Sequence, residues 1–136
     1  MSRFLTAVIS WSLLAVAPAL SAPTAWDPQA FSKESTLEFL TVGASEGEHW
    51  STVWLVVIDG DLYIRLGSRA AGRMEQNTTA PYVKLRIAGQ QFDRVKAEPA
   101  PDKVPQVAAA MGDKYWSDVL VRHFNHPLTM RLVPES

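Results

Sequence analysis

The chain has 136 residues, room for one domain, and 47% of them are hydrophobic with five Trp, enough to build a core. Its 13 basic and 14 acidic residues nearly cancel, so no strong field selects nucleic acid or an anionic membrane surface. The absence of Cys excludes thiol catalysis, disulfides and thiolate metal sites together.

The first 22 residues are predicted to stand outside the fold. Met1 to Arg3 gives a short positive end, Phe4 to Val16 an apolar stretch, and Ala17 to Ala22 a small-residue processing region. That is the build of a cleaved secretory signal peptide. The apolar stretch is short against the roughly 20 residues of a spanning helix, and an uncleaved anchor is the alternative. Export of the Sec type, without a twin-arginine pair, implies a bacterial periplasmic or secreted protein with no stable membrane insertion after cleavage. A cofactor would then be acquired after translocation. Residues 23–136 make the single mature domain.

Asp27 and Pro28 predict a short helix, the Asp as N-cap and the Pro at the first helical position. Ser35 to Val42 alternates as a strand, with Leu37, Phe39 and Thr41 on one face and Glu38, Leu40 and Val42 on the other. Gly43 to His49 reads as a polar loop. Asp59-Gly60 then separates Thr52–Ile58 from Asp61–Arg65, a strong signal for a two-residue type I′ hairpin. Such a turn sets Ile58 opposite Asp61, Val57 opposite Leu62, Val56 opposite Tyr63, Leu55 opposite Ile64 and Trp54 opposite Arg65. Alternation places Leu55, Val57, Leu62 and Ile64 inside and leaves Trp54, Val56, Tyr63 and Arg65 as an aromatic and cationic outer surface.

Gly67 to Pro81 predicts a loop with a short helix around Arg73 to Asn77. Tyr82 to Ile87 alternates strictly and reads as a strand. Ala88 to Gln91 is a turn, Phe92 to Ala97 a further strand and Pro99 to Pro105 a connector. Val104 to Phe124 reads as a helix in two pieces broken near Gly112, and Leu128 to Val133 as the last strand. The sum is a mainly β or α+β fold, an antiparallel barrel of about six strands with late C-terminal helices.

The succession Val56-Val-Ile-Asp-Gly-Asp-Leu-Tyr-Ile-Arg65, a Gly/Ser/Arg loop, Asn77, Ala80-Pro-Tyr-Val83 and Leu85-Arg-Ile-Ala-Gly89 carries a family likeness. It resembles the split β-barrel of the pyridoxamine-phosphate-oxidase and flavin-reductase-like group. The most similar branches are the deazaflavin-dependent nitroreductases and an uncharacterised family of small relatives, whose late Lys-Tyr helix resembles Val107 to Trp116. The likeness spans residues 35–133. It implies a small-molecule site for FMN, a deazaflavin or a related anionic cofactor, flavin- or deazaflavin-dependent redox chemistry if the protein is an enzyme, and a homodimer. By resemblance the phosphate is held by Arg65, Ser68 and Arg69, with Lys84 or Arg86 from the next strand and Trp54 and Tyr63 beside them. Arginine forks and hydroxyls suit phosphate oxygens. In two places the chain departs from the nitroreductase pattern. Met74 stands where that branch usually has a Trp, and Arg69-Ala-Ala-Gly-Arg73 replaces a Gly/Pro-rich loop. The alternative is a cofactor-free dimeric binding or interaction module that uses the aromatic and cationic face as its interface.

Each candidate also has a purely structural reading. Arg65 and Trp54 suit a cross-strand cation–π pair, Arg69 and Arg73 a solvated loop, and Lys84 and Arg86 solubilising edge charges. His123 and His126 have metal-ligand spacing but no third ligand by spacing, and they suit a helix C-terminus. His49 stands alone beside Trp50. Asn77-Thr-Thr79 matches a glycosylation acceptor. Ser68 has neither a neighbouring His nor a Gly-x-Ser-x-Gly elbow for hydrolase chemistry. No catalytic residue and no metal site are assigned.

Overall fold

The computed structural model describes residues 26–115 and 128–135. The expected leader lies outside the described residues, as do His123, His126 and the second helical piece. The strands are β1 (Thr36–Gly43), β2 (Gly47–Ile58), β3 (Asp61–Leu66), β4 (Tyr82–Ile87), β5 (Gln90–Pro99) and β6 (Leu128–Pro134). They close into an antiparallel barrel in the ring order β1-β2-β3-β6-β5-β4, with β4 paired back onto β1. Closure removes the free edges that an open sheet would have to protect. Helices α1 (Pro28–Phe31), α2 (Ser68–Glu75) and α3 (Val104–Lys114) pack around it.

The Asp59-Gly60 turn adopts φ of 52° and 81°, the two positive values that a type I′ turn requires. Its register is Leu55↔Ile64, Val56↔Tyr63, Val57↔Leu62 and Ile58↔Asp61, as a two-residue loop dictates. Ala88 and Gly89 repeat the device between β4 and β5, with φ of 55° and 73°. Leu55, Leu62 and Ile64 are fully buried in a core shared with Phe39, Leu85 and Val95. Asp27 caps α1, its Oδ1 accepting from the Ala30 N–H at 3.3 Å. The helix thereby seats Phe31 in the core, edge-on to Trp26 and Phe92.

Of the loop expected from Gly43 to His49, only residues 44–46 are a turn. β2 begins at Gly47, whose φ of 77° closes a tight turn, and it pairs with β1 from Gly43↔Gly47 to Thr36↔Trp54. The helix between β3 and β4 starts at Ser68 rather than near Arg73, because Ala71 and Met74 are the residues that bury against the barrel. α3 ends at Lys114, two residues past Gly112, where Tyr115 turns extended. Gly112 is exposed, and an interior Gly costs a helix only about 1 kcal/mol. Finally, the outer face of the hairpin is not open. Val56 and Tyr63 are 3% and 1% exposed beneath Val107 and Met111 of α3. The aromatic surface expected there is an internal packing face, and the chain supplies its own cover.

Candidate functional site

β2 divides its partners along its length. Residues 47–54 pair with β1 and residues 55–58 pair with β3. Beyond Ile64, β3 continues against β6 alone, through Arg65↔Thr129 and Leu66↔Leu128. β2 and β3 therefore part at Trp54 and Arg65, one step past the last cross-strand pair. A cleft of about 260 Å³ opens at the parting, lined by Trp54, Arg65, Gly67, Thr36, Thr52 and Met111 among others. Trp54 stacks flat on Tyr115, with ring centroids 4.2 Å apart and planes 1° from parallel.

α2 begins directly after this cleft. Its N-cap is Gly67, and no side chain caps the helix start. Backbone N–H groups at such an end favour an anion. Ser68 and Arg69 stand in this first turn and line a second cleft of about 630 Å³ between α2 and the β1–β2 turn. Thr41, Ser45, Glu46, Arg73 and Gln76 also line it. Arg73 and Glu46 bridge the two walls with a forked contact, Nε to Oε1 at 3.0 Å and Nη2 to Oε2 at 3.1 Å. That hydrogen bond from Arg73 holds the Glu46 carboxyl below its ordinary range, with a smaller contribution from the charge of His49.

The fold thus places Trp54, Arg65 and Gly67 in one cleft and Ser68 and Arg69 in another, Gly67 and Ser68 being consecutive in the chain. Tyr63 does not reach either, since it is buried under α3 beside its β6 partner Arg131. Lys84 and Arg86 are on β4, opposite β3 in the ring, so a single chain does not bring them to Arg65. The Arg86 guanidinium lies 3.8 Å over the Trp50 ring and donates to Gln91 at 2.9 Å. Lys84 borders a groove with Tyr82 and Arg94.

Three further polar residues matter that the sequence reading did not place. The Tyr115 hydroxyl accepts from the Leu55 N–H at 3.1 Å and lies 2.8 Å from the carbonyl oxygens of Leu55 and Ser35. Lys114 Nζ donates to the carbonyls of Glu34 and Leu55 at 2.7 and 3.1 Å. These backbone groups sit where β1 no longer accompanies β2, beyond Thr36↔Trp54. Burial lowers the Lys114 pKa and raises that of Tyr115. The Lys-Tyr end of α3 is a lock on the split barrel. Asn77, 6% exposed, accepts from the Val42 N–H and donates to the Tyr82 carbonyl, both at 2.9 Å. Its amide ties β1 to β4 and is not presented to a glycosylating enzyme.

A closed six-stranded antiparallel barrel whose β2 and β3 part at Trp54 and Arg65, with a helix following β3, is a split β-barrel. No protein-family model and no curated protein matches the sequence. Solved structures do match. The chain is similar to HutZ, the heme storage protein from Vibrio cholerae, at 21% identity over 79% of this chain and 87% of that one, with a TM-score of 0.61. A protein of unknown function from Agrobacterium tumefaciens is similar at 20% identity, over 89% of this chain and 58% of that one, with a TM-score of 0.63. A conserved hypothetical protein from Mycobacterium tuberculosis is similar at 17%, over 80% and 78%, with a TM-score of 0.59. At these identities the likeness establishes the fold. Among the described residues no helix is long and apolar enough to cross a membrane.

Proposed function

We propose that this split barrel binds a small planar ligand carrying a phosphate or similar anion, with FMN the best match to the site. The observation that carries the reading is a pair of clefts whose linings are consecutive in the chain at Gly67-Ser68, Trp54 and Arg65 at the split and then the uncapped start of α2 with Ser68 and Arg69. An aromatic wall suits a flat ring system, and a helix N-terminus with a hydroxyl and a guanidinium suits phosphate. With FMN in place, redox chemistry would belong to the cofactor, and the chain would supply orientation and electrostatics. A deazaflavin is the narrower alternative, and Met74, where that branch usually has a Trp, is buried here against the barrel. HutZ being a heme storage protein makes hemin a further planar, anionic candidate. The rival reading, a cofactor-free interaction module, drew on an open aromatic face that α3 covers. Export to the periplasm or beyond, with residues 1–22 removed, belongs to the same proposal.

FMN is expected to bind at least about tenfold more tightly than riboflavin, because each hydrogen bond to a charged group is worth roughly 1.5–3 kcal/mol. Arg69→Ala should erase that preference and leave stability within about 1 kcal/mol, as an exposed change does. Fluorescence titration of both flavins, with hemin in parallel, reads the result. Equal affinity for FMN and riboflavin would rule out the phosphate site, and hemin binding alone would reassign the ligand.

The homodimer is tested separately. Light scattering on the chain from Pro23 onward should give about twice the chain mass, as a two-fold oligomer requires. A monomer at high concentration would confine the site to one chain.

A further inference from the structure

The cleft between α2 and the β1–β2 turn holds more than Ser68 and Arg69. Arg73 follows Arg69 by one helical turn, so the two guanidiniums serve the same face of α2, and both line the cleft. Arg69 has no ion-pair partner among the described residues, whereas Arg73 is engaged by Glu46. That pair is open to water, its side chains 29% and 44% exposed. As a fastener it is worth little. What it does is occupy the arginine's fork with a carboxylate in the geometry a phosphate would take. On the inner wall Thr41 is 1% exposed, and its Oγ1 has no hydrogen-bond partner among the described residues. A buried hydroxyl left unpaired costs about 1–3 kcal/mol, and nothing in the barrel's own packing uses it.

We infer that Arg73 is a second anion-binding arginine of this cleft, that Glu46 is its internal competitor, and that the Thr41 hydroxyl, closed to solvent in the ligand-free chain, turns into the cleft to donate to the bound ligand. The inference rests on the cleft being an anion site and adds its selectivity. A phosphomonoester brings close to two charges and three acceptor oxygens, so it displaces Glu46 from Arg73. A carboxylate ligand offers only what Glu46 already provides, and it is excluded.

FMN and inorganic phosphate are the probes, read by calorimetry and by the Nε–H NMR resonance of Arg73. Glu46→Gln keeps the size and removes the competing charge, so FMN should bind about threefold more tightly. Arg73→Met should weaken it about tenfold. Thr41→Val should weaken it about threefold while the melting temperature holds or rises, because an unpaired hydroxyl is removed. A Glu46→Gln variant that binds no better than the native chain, or a Thr41→Val variant that melts lower with unchanged affinity, overturns the inference and leaves the anion site standing. A native chain that binds neither FMN nor phosphate, its Arg73 resonance unmoved, overturns the site and the inference together.

Discussion

Leu55→Asp and Ile64→Asp are each expected to abolish cooperative folding. The two residues face one another across the β2–β3 ladder, and both are 0% exposed. Removing a large aliphatic side chain from a core costs about 2–5 kcal/mol, and stranding a carboxylate there costs several more. A domain of this size has only about 5–15 kcal/mol in total. Trp54→Asp is the informative control. Trp54 is only partly buried and lies on the outer face, so the change forfeits the stack on Tyr115 and leaves the barrel interior intact. Circular dichroism and urea unfolding separate the three variants. A cooperative transition in Leu55→Asp would show the hairpin register to be wrong.

What was legible in the sequence was local. The Asp59-Gly60 turn is decided by two residues' tolerance of positive φ, and its register follows without reference to the rest of the chain. The faces of β1 and β4 follow from alternation, which is equally local. The start of β2, residues 47–51, is hidden because Glu48, His49 and Ser51 make the segment polar, and only pairing with β1 holds it as a strand. Arg, Ala, Met and Glu favour a helix throughout Ser68–Glu75 and only Gly72 opposes one, so propensity allows α2 without fixing its bounds, and docking of Ala71 and Met74 sets its position. Val107 and Met111 do form a visible stripe at helical spacing. Nothing local says that this stripe covers Val56 and Tyr63.

The candidate site divides along the same line. The two-residue hairpin sets Trp54 opposite Arg65, and both line the cleft at the split. β3 runs on past the parting because β6 pairs its other edge from Leu62 to Leu66, and β6 comes from the far end of the chain. Ring closure likewise carries Lys84 and Arg86 away from Arg65. Glu46 and Arg73 meet across 27 residues of sequence. The spacing of Arg69 and Arg73, four apart, was the one available hint that Arg73 belongs on the same face.

Tyr115→Phe is expected to destabilise the protein by about 2–3 kcal/mol, a large effect for the loss of one oxygen. The hydroxyl is the partner of the Leu55 N–H at a point where β1 has ended, so the change strands a backbone donor, and an unsatisfied buried group costs roughly 1–3 kcal/mol. The Leu55 carbonyl keeps Lys114 Nζ at 3.1 Å, which limits the damage. The ring still stacks on Trp54, so lost packing contributes little. The pH dependence identifies the hydroxyl as the cause. Burial raises the Tyr115 pKa in the folded state, so its proton contributes stability that is fully present below the unfolded phenol's value near about 10 and is lost as pH rises through the folded value. Lys114 acts in the opposite sense. Burial lowers its pKa, the folded state binds fewer protons than the unfolded chain, and stability rises with pH between the lowered value and about 10.4. The native chain carries both effects, and Tyr115→Phe keeps only that of Lys114. Urea unfolding at about pH 9 and about pH 11 should therefore show the variant losing less stability than the native chain over that interval. An equal loss in both would mean that the Tyr115 hydroxyl does not hold its proton against Leu55 and Ser35, and that packing alone fixes α3 to the split.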